Sequence, residues 1–210
     1  MKKEAIIKNN QESINRSYSE FEPYLDIDYR VFFDLRSTVW EITNCIMLEF
    51  DKAAITLTNN LLERLLKLTL IYNDVGIDPI PLDQWNEEFS ETDSKYGSIK
   101  LGNSIELCKK YNLITQDEKD YLFHSIRELM RNGFSHADAS KILKEYPDEM
   151  LGFQGSLSNP STMNRLDLNQ KTIPPLQGVQ IENFAKENAK NYFLYVVELL
   201  KKIEDRLNSK

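Results

Sequence analysis

The sequence predicts an all-α fold, a bundle of about five main helices, and three observations support this prediction. Apolar residues recur at steps of three and four along most of the chain, which is the period of an amphipathic helix. No segment shows the two-residue alternation that is typical of a strand. The length of 210 residues is that of a single domain. We therefore expect a polar N-terminal segment at residues 1–28 and one helical domain at residues 29–210.

The composition excludes several classes of protein. Basic residues number 26 and acidic residues 33, so the net charge is −7 and the chain lacks the overall basic charge of many nucleic-acid-binding proteins. No run of about 18 apolar residues occurs, and the N-terminus lacks the apolar stretch of a secretory signal. The two cysteines, Cys45 and Cys108, lie on separate predicted helices and do not form a disulfide framework. The sequence thus predicts a cytoplasmic protein without membrane contact, in which nucleic acid would bind to a local patch.

Two long helices follow the N-terminal segment, which itself contains at most one short helix. Residues 29–50 carry one apolar stripe, and residues 51–73 carry two adjacent rows of apolar side chains, most of them leucine. A helix with such a wide apolar face packs against neighbours on more than one side. We therefore expect the helix at 51–73 to lie at the centre of the bundle.

The helical period is lost between residues 76 and 96. Two prolines stop a helix there, and the polar residues after them predict a loop with at most a short turn around Trp85. Helical spacing returns at residues 98–111. Thr115 and Glu118 then have the spacing of a capping box, which predicts the start of the next helix.

The last part of the chain is less regular. The helix that follows the capping box should end at Asn132-Gly133, a pair suited to the left-handed backbone that ends helices. A short helix at residues 137–145 comes next. Residues 146–180 contain four of the seven prolines and three of the seven glycines, and they predict a long irregular loop before the C-terminal helix. That last helix, at residues 181–207, keeps one apolar face throughout.

Arg131 and His136 form the most informative pair of residues in the sequence. In one continuous α-helix, a separation of five residues places two side chains about 140° apart. The predicted break at Asn132-Gly133 instead lets both side chains approach one point at the start of the following helix. A helix N-terminus favours an anion, an arginine binds phosphate through two donors, and a histidine exchanges protons near neutral pH. Such a site can cleave a ribonucleotide without a metal, because the 2′-hydroxyl supplies the nucleophile.

The residues around this pair resemble a known motif. They are Arg131-Asn132-Gly133-Phe134-Ser135-His136. This run is similar to the R-N-x-x-x-H form of the Arg-x(4–6)-His motif of the HEPN superfamily, named for higher eukaryotes and prokaryotes nucleotide-binding. The predicted helical fold, with the motif at a junction between two helices, is also similar to that family.

The resemblance implies a function and a set of partners. Many HEPN proteins are metal-independent endoribonucleases of toxin–antitoxin, abortive-infection or CRISPR-linked systems, and they usually dimerise so that two motifs face one cleft. It implies that Arg131 and His136 are catalytic and that Asn132 supports them, with no cofactor and no metal. The partners it implies are RNA, a second copy of the chain and a cognate antitoxin or other defence-system protein. HEPN members often carry a polar or acidic residue on the earlier long helix, which makes Glu63 a candidate supporting residue.

Three further residues lie close to the motif in the sequence. His124 precedes Arg131 by seven residues, which in an α-helix places both side chains on nearly the same face. Ser135 and Asp138 have the spacing of a capping box and lie on either side of His136. We expect these three residues to support the site or to bind substrate.

Several of these residues also have a purely structural interpretation. Arg131 can pair with Glu128, three residues earlier on the same helix, and Asn132 can act as a helix C-cap. Glu63 and Lys67 have the spacing of an ordinary ion pair on a helix.

The histidines and Asp138 have such interpretations too. His136 can be an exposed residue at a helix start, His124 a polar residue at the rim of the core, and Asp138 a helix cap. The chain would then be a non-catalytic HEPN-like module that binds nucleotide, RNA or a partner protein, or a helical protein whose motif is coincidental. The net charge of −7 favours the binding module over the enzyme, because it opposes capture of a polyanion.

Overall fold

The computed structural model describes residues 2–135, 139–144, 146–156 and 158–209. Most of this part of the chain is helical, as the sequence predicts, and one antiparallel β-hairpin is added to the helices. The helices are α1 (Lys3–Leu25), α2 (Arg36–Met47), α3 (Asp51–Val75), α4 (Trp85–Tyr96), α5 (Leu101–Lys110), α6 (Gln116–Tyr121), α7 (Asn132–Ser135), α8 (Ala139–Ile142) and α9 (Pro174–Asn208). The strands are β1 (Glu149–Ser156) and β2 (Asn159–Asn169).

Three further helical segments, which are not α-helical, connect these elements. A π-helical segment, Leu122–Arg131, joins α6 to α7. Single 3₁₀ turns at Phe33–Leu35 and Leu82–Gln84 lead directly into α2 and α4.

Helix α3 lies at the centre of the molecule, which confirms the prediction for residues 51–73. It packs against α2, α4, α5 and α9. Five of its leucines are at most 1% exposed: Leu61, Leu62, Leu65, Leu66 and Leu70. Burying one such side chain contributes about 1.5–3 kcal/mol, so this face supplies much of the stability of the bundle. Helices α2, α5 and α8 also lie within the helices predicted at 29–50, 98–111 and 137–145.

The capping box at the start of α6 is confirmed. The backbone N–H of Glu118 donates to Oγ1 of Thr115 at 3.2 Å, and the backbone N–H of Thr115 donates to Oε2 of Glu118 at 2.8 Å. The guanidinium of Arg206, near the end of α9, donates to both carboxylate oxygens of Glu118 at 2.7 and 3.0 Å. The ion pair between Arg206 and Glu118 therefore connects α9 to the start of α6.

The N-terminal segment is more ordered than predicted. Residues 1–28 were expected to hold at most one short helix, whereas α1 spans 23 residues. It packs on α2, and Phe21, at 1% exposed, is the buried residue of this helix. A helix that buries so little apolar surface leaves a weak periodic signal in its sequence.

The loop predicted at residues 76–96 is also wrong over its second half, which forms α4. The prolines restrict the residues before them and permit a helix to begin after them. Glu87 and Glu88 lie in the first turn, where a carboxylate is favoured by the helix dipole. The buried residues of α4 are Thr92 and Tyr96, so the helix has no apolar stripe that its sequence could reveal.

The helix does not end at Asn132-Gly133, so this prediction is wrong. The π-helical segment passes directly into α7, and the backbone stays helical as far as Ser135. Gly133 is buried, and a Cβ atom at this position would lie 2.6 Å from Cγ1 of Ile142. The glycine therefore permits close contact between α7 and α8, and it does not provide a left-handed helix end.

The irregular loop predicted at residues 146–180 is a hairpin followed by the start of α9. Strands β1 and β2 pair antiparallel from Glu149 opposite Asn169 to Gln154 opposite Asn164, with an irregularity near the turn. The strand residues whose burial the structure describes are all exposed or half-buried, which explains why the sequence carries no alternating pattern.

Residues at its base tie the hairpin to the helices. Gln170 is 4% exposed; its Nε2 donates to the carbonyl of Pro147 at 2.7 Å, and its Oε1 accepts from Nε2 of Gln180 at 2.8 Å. Helix α9 begins at Pro174 and Pro175, which occupy the first helical positions, where the missing N–H groups have no helical partner to lose.

Two predictions from the composition concern the cysteines and membrane-spanning helices. Cys45 and Cys108 are both free thiols, as predicted, and burial raises the pKa of the Cys108 thiol to about 12. Among the described helices, none combines the length and the apolar character needed to cross a bilayer.

Candidate functional site

The motif lies where the π-helical segment meets α7. Arg131 is the last residue of the π-helical segment, and Asn132 to Ser135 form the next helical turn. His136 and Asp138 lie outside the described residues. The approach of Arg131 to His136 stays a prediction, and the helix break at Asn132-Gly133 from which it was argued is not found, because the backbone is helical through Ser135.

The π-helix is the unusual local feature of this region. Hydrogen bonds from residue i to i+5 widen each turn, and segments of this kind are rare and often lie at functional sites. Leu122, Ile126 and Met130 are 0%, 1% and 7% exposed, so they form a buried row at steps of four residues.

A buried asparagine holds the residue that precedes Arg131. Asn59 of α3 is 3% exposed, and its Nδ2 donates to the carbonyl of Met130 at 3.1 Å. Its Oδ1 accepts a hydrogen bond from the hydroxyl of Tyr192 of α9 at 2.8 Å. We call Asn59, Tyr192 and the Met130 carbonyl the Asn59 bridge. It connects the central helix, the C-terminal helix and the last turn before the motif.

The Asn59 bridge is buried and stays neutral. Burial, followed by the charge of Glu63, raises the pKa of Tyr192, so its phenol remains a hydrogen-bond donor across the ordinary pH range. Each polar atom of the bridge would be costly to bury without its partner. The bridge therefore specifies how the π-helical segment lies on α3.

Two further contacts position the motif backbone. Gly133 lies against Ile142 of α8, as described above. The ring of Phe134 lies 5.8 Å from the ring of Phe184 of α9, centroid to centroid. Together with the Asn59 bridge, these contacts hold the backbone on both sides of Arg131 and Asn132.

Glu63 lies one turn after Asn59 on α3 and is half-buried. Its charge acts on the hydroxyl of Tyr192, which places it on the side of α3 that faces the Asn59 bridge. Lys67, with which Glu63 shares the spacing of an ion pair, donates from Nζ to the carbonyl of Gly97 at 3.0 Å. A supporting role for Glu63 at the motif stays a prediction.

His124 is exposed, and its ring lies 6.4 Å from that of Phe123. The spacing argument that aligned it with Arg131 assumes an α-helix. His124 and Arg131 both lie in the π-helical segment, whose turn holds more residues, so that argument does not apply. A role for His124 in the site stays a prediction.

Sequence reasoning missed two residues near the motif, Asn59 and Tyr192. A signal for Asn59 was present, because an asparagine inside the apolar stripe of a central helix needs a buried partner. That partner could not be identified, since Met130 and Tyr192 lie 71 and 133 residues further along the chain. Tyr192 is 1% exposed and lies in the core.

No metal site is found among the residues that the structure describes: no three histidine, cysteine, aspartate or glutamate side chains converge there. Comparisons of the chain with protein-family models, with curated proteins and with solved structures give no significant match.

Proposed function

We propose that this chain is a metal-independent endoribonuclease of the HEPN type that acts in a prokaryotic toxin–antitoxin, abortive-infection or antiviral defence system. The observation that carries the proposal is the R-N-x-x-x-H run, which follows a π-helical turn that the Asn59 bridge holds against the central helix. A buried polar contact at this point favours a site whose geometry matters over a coincidental sequence.

The chemistry assigned to the motif needs two groups. His136 removes the proton of a ribose 2′-hydroxyl or protonates the leaving 5′-oxygen. Arg131 stabilises the negative charge on the phosphate as the 2′-oxygen attacks phosphorus. The bond from phosphorus to the 5′-oxygen breaks, which leaves a 2′,3′-cyclic phosphate and a 5′-hydroxyl. Asn132, Glu63 and the residues around His136 would support these two groups.

The family resemblance adds two partners to the proposal. A second copy of the chain would bring two motifs to one cleft, and a cognate antitoxin or other defence-system protein would restrain the enzyme. Sedimentation at micromolar concentration tests the first partner. We expect a dimer, and a monomer would argue against a composite cleft.

The net charge of −7 supports a second candidate function, a HEPN-like module that binds a nucleotide, RNA or a partner protein without cutting RNA. Native mass spectrometry with nucleotides and short RNA distinguishes the two candidates. Binding without turnover would support the module.

A cleavage time course tests the proposal. Wild type, His136→Ala and Arg131→Ala would be incubated with total RNA in EDTA, with Arg165→Ala on the exposed hairpin as a matched control. We expect wild type and the control to cut RNA, and the two motif variants to be about 10²–10⁴-fold slower. Circular dichroism of each variant checks the fold. Equal cutting by wild type and His136→Ala, or loss of all cutting in EDTA, would overturn the proposal.

A further inference from the structure

Residues 68–94, which run from the second half of α3 into α4, differ in charge from the rest of the chain. Seven acidic residues and no basic residue lie between Lys67 and Lys95. The acidic residues are Asp74, Asp78, Asp83, Glu87, Glu88, Glu91 and Asp93. Lys95 pairs with Asp74 at 2.7 Å, and the other six carboxylates leave an excess of negative charge that repels phosphate and attracts cations, so the proposed RNA substrate would not bind here.

An aromatic cavity lies in the same region. It has a volume of about 320 Å³, which is within the range of small-molecule sites. Four aromatic side chains line it. Asp78 and its apolar neighbours in the sequence complete the lining. The four are Phe33, Tyr72, Trp85 and Phe89.

The rings of this cavity stand at right angles to one another. The planes of Tyr72 and Phe89 meet at 90° with centroids 6.4 Å apart, and those of Phe89 and Trp85 meet at 80° with centroids 6.2 Å apart. The indole N–H of Trp85 donates to the carbonyl of Ile80 at 3.0 Å, which fixes the orientation of that ring. The perpendicular rings form adjoining walls of the cavity.

Two of the lining side chains are largely exposed. Phe33 is 64% exposed and Trp85 is 47% exposed, although both are large and aromatic. Exposed apolar groups that cluster around a cavity are typical of a binding site. The aromatic faces carry negative electrostatic potential, and the nearby carboxylates have the same sign. Aromatic faces and a carboxylate together recognise an organic cation.

We propose that this cavity, which we call the aromatic cavity, binds a quaternary or alkylated ammonium ion. The ammonium group would contact the faces of Tyr72, Trp85 and Phe89, with Asp78 as the neighbouring negative charge. This site is independent of the proposed ribonuclease motif, because it shares no residue with it.

Choline is the probe, and 3,3-dimethylbutan-1-ol, which has the same shape without the charge, is the control ligand. The chain has two tryptophans, so Trp40→Phe leaves Trp85 as the reporter of fluorescence. We expect choline to change the Trp85 emission saturably at constant ionic strength, and the neutral isostere to bind about tenfold more weakly. Equal binding of both ligands, or no saturable change with choline, would overturn the proposal.

Two variants locate the site. Phe33→Leu and Asp78→Asn alter the cavity at a mostly exposed ring and at a lining carboxylate, and we expect each to weaken choline binding about threefold or more. Asp167→Asn on the hairpin removes one exposed carboxylate elsewhere and should leave binding unchanged. Ligand-observed NMR of the choline methyl groups reads all three variants without using tryptophan. A Trp85 emission that depends on protein concentration, and not on choline, would show that a second copy covers the cavity and would contradict the proposal.

Discussion

The central helices and the β-hairpin differ in what stabilises them. In α3, the five leucines of the buried face are at most 1% exposed, and the polar Asn59 among them has partners for its oxygen and its nitrogen. In the hairpin, Leu151 and Phe153 are 46% and 60% exposed. A two-stranded hairpin is marginally stable by itself in water, so its order depends on anchors at its base, such as Gln170. A periodic pattern of apolar residues therefore predicts the elements that pack on the core. It does not predict elements that lie outside the core, such as the hairpin.

The largest expected effect compares one residue from each region. Leu66→Ala leaves a cavity beside the central helix and should lower the free energy of unfolding by about 2–5 kcal/mol. Phe153→Ala removes a larger side chain from an exposed strand and should change it by at most about 0.5 kcal/mol. Denaturant titrations of both variants measure the difference. A similar loss in both would mean that Phe153 is packed in solution. It would contradict the difference in stabilisation between the central helices and the hairpin.

The Asn59 bridge gives the next largest effect. Asn59→Leu leaves the Met130 carbonyl and the Tyr192 hydroxyl without their partner, so we expect a loss of about 2–3 kcal/mol in unfolding free energy. Tyr192→Phe removes one hydrogen bond at nearly constant volume and should cost about 1 kcal/mol.

Asn59→Leu also tests whether the Asn59 bridge affects RNA cleavage. If the Asn59 bridge positions the motif, Asn59→Leu lowers the rate of RNA cleavage at temperatures where the variant is fully folded. Equal cleavage rates in the folded variant and in wild type would limit the bridge to a structural role.

The contact between α7 and α8 gives an effect of intermediate size. Gly133→Ala brings a Cβ atom to 2.6 Å from Cγ1 of Ile142, so we expect a loss of about 1–3 kcal/mol. Ile142→Ala removes the atom in question, and the double variant should lose less than the sum of the two single variants. Additive losses in a double-mutant cycle would argue against this contact.

The effect of the Glu118–Arg206 pair depends on pH. Burial alone would raise the pKa of Glu118, but hydrogen bonds from Arg206 and from the Thr115 backbone lower it below its ordinary value of 4.5. Because the folded-state pKa is depressed, the pair contributes stability above pH 4.5, and this stability is lost as the pH falls through the folded-state pKa. Glu118→Gln should cost about 1–2 kcal/mol at pH 7, and the gap to wild type should narrow below pH 4. A gap that stays constant with pH would show that the charge of Glu118 is not involved.

The helices that could be predicted from the sequence are those that bury a continuous stripe of apolar side chains. The helix at 51–73 and most of α9 could be read from their periods, and the capping box at Thr115 from its local chemistry. Helix α4 could not, because its buried residues are Thr92 and Tyr96. The hairpin was hidden for a related reason, since its apolar side chains remain largely exposed.

The candidate site was predictable only as a set of residues. The motif is a local run of sequence, and it could be found without knowledge of the fold. The geometry around it depends on packing between distant segments. Gly133 resembles a helix end in the sequence because its contact with Ile142 is tertiary, and the partners of Asn59 lie far along the chain from it.

The most direct test of the central claim is the chemistry of the RNA ends after incubation with the wild-type chain in EDTA. A 2′-hydroxyl attack predicts 2′,3′-cyclic phosphate and 5′-hydroxyl ends, both of which should be absent with His136→Ala. RNA that remains intact, or that is cut to 5′-phosphate and 3′-hydroxyl ends, would contradict the account.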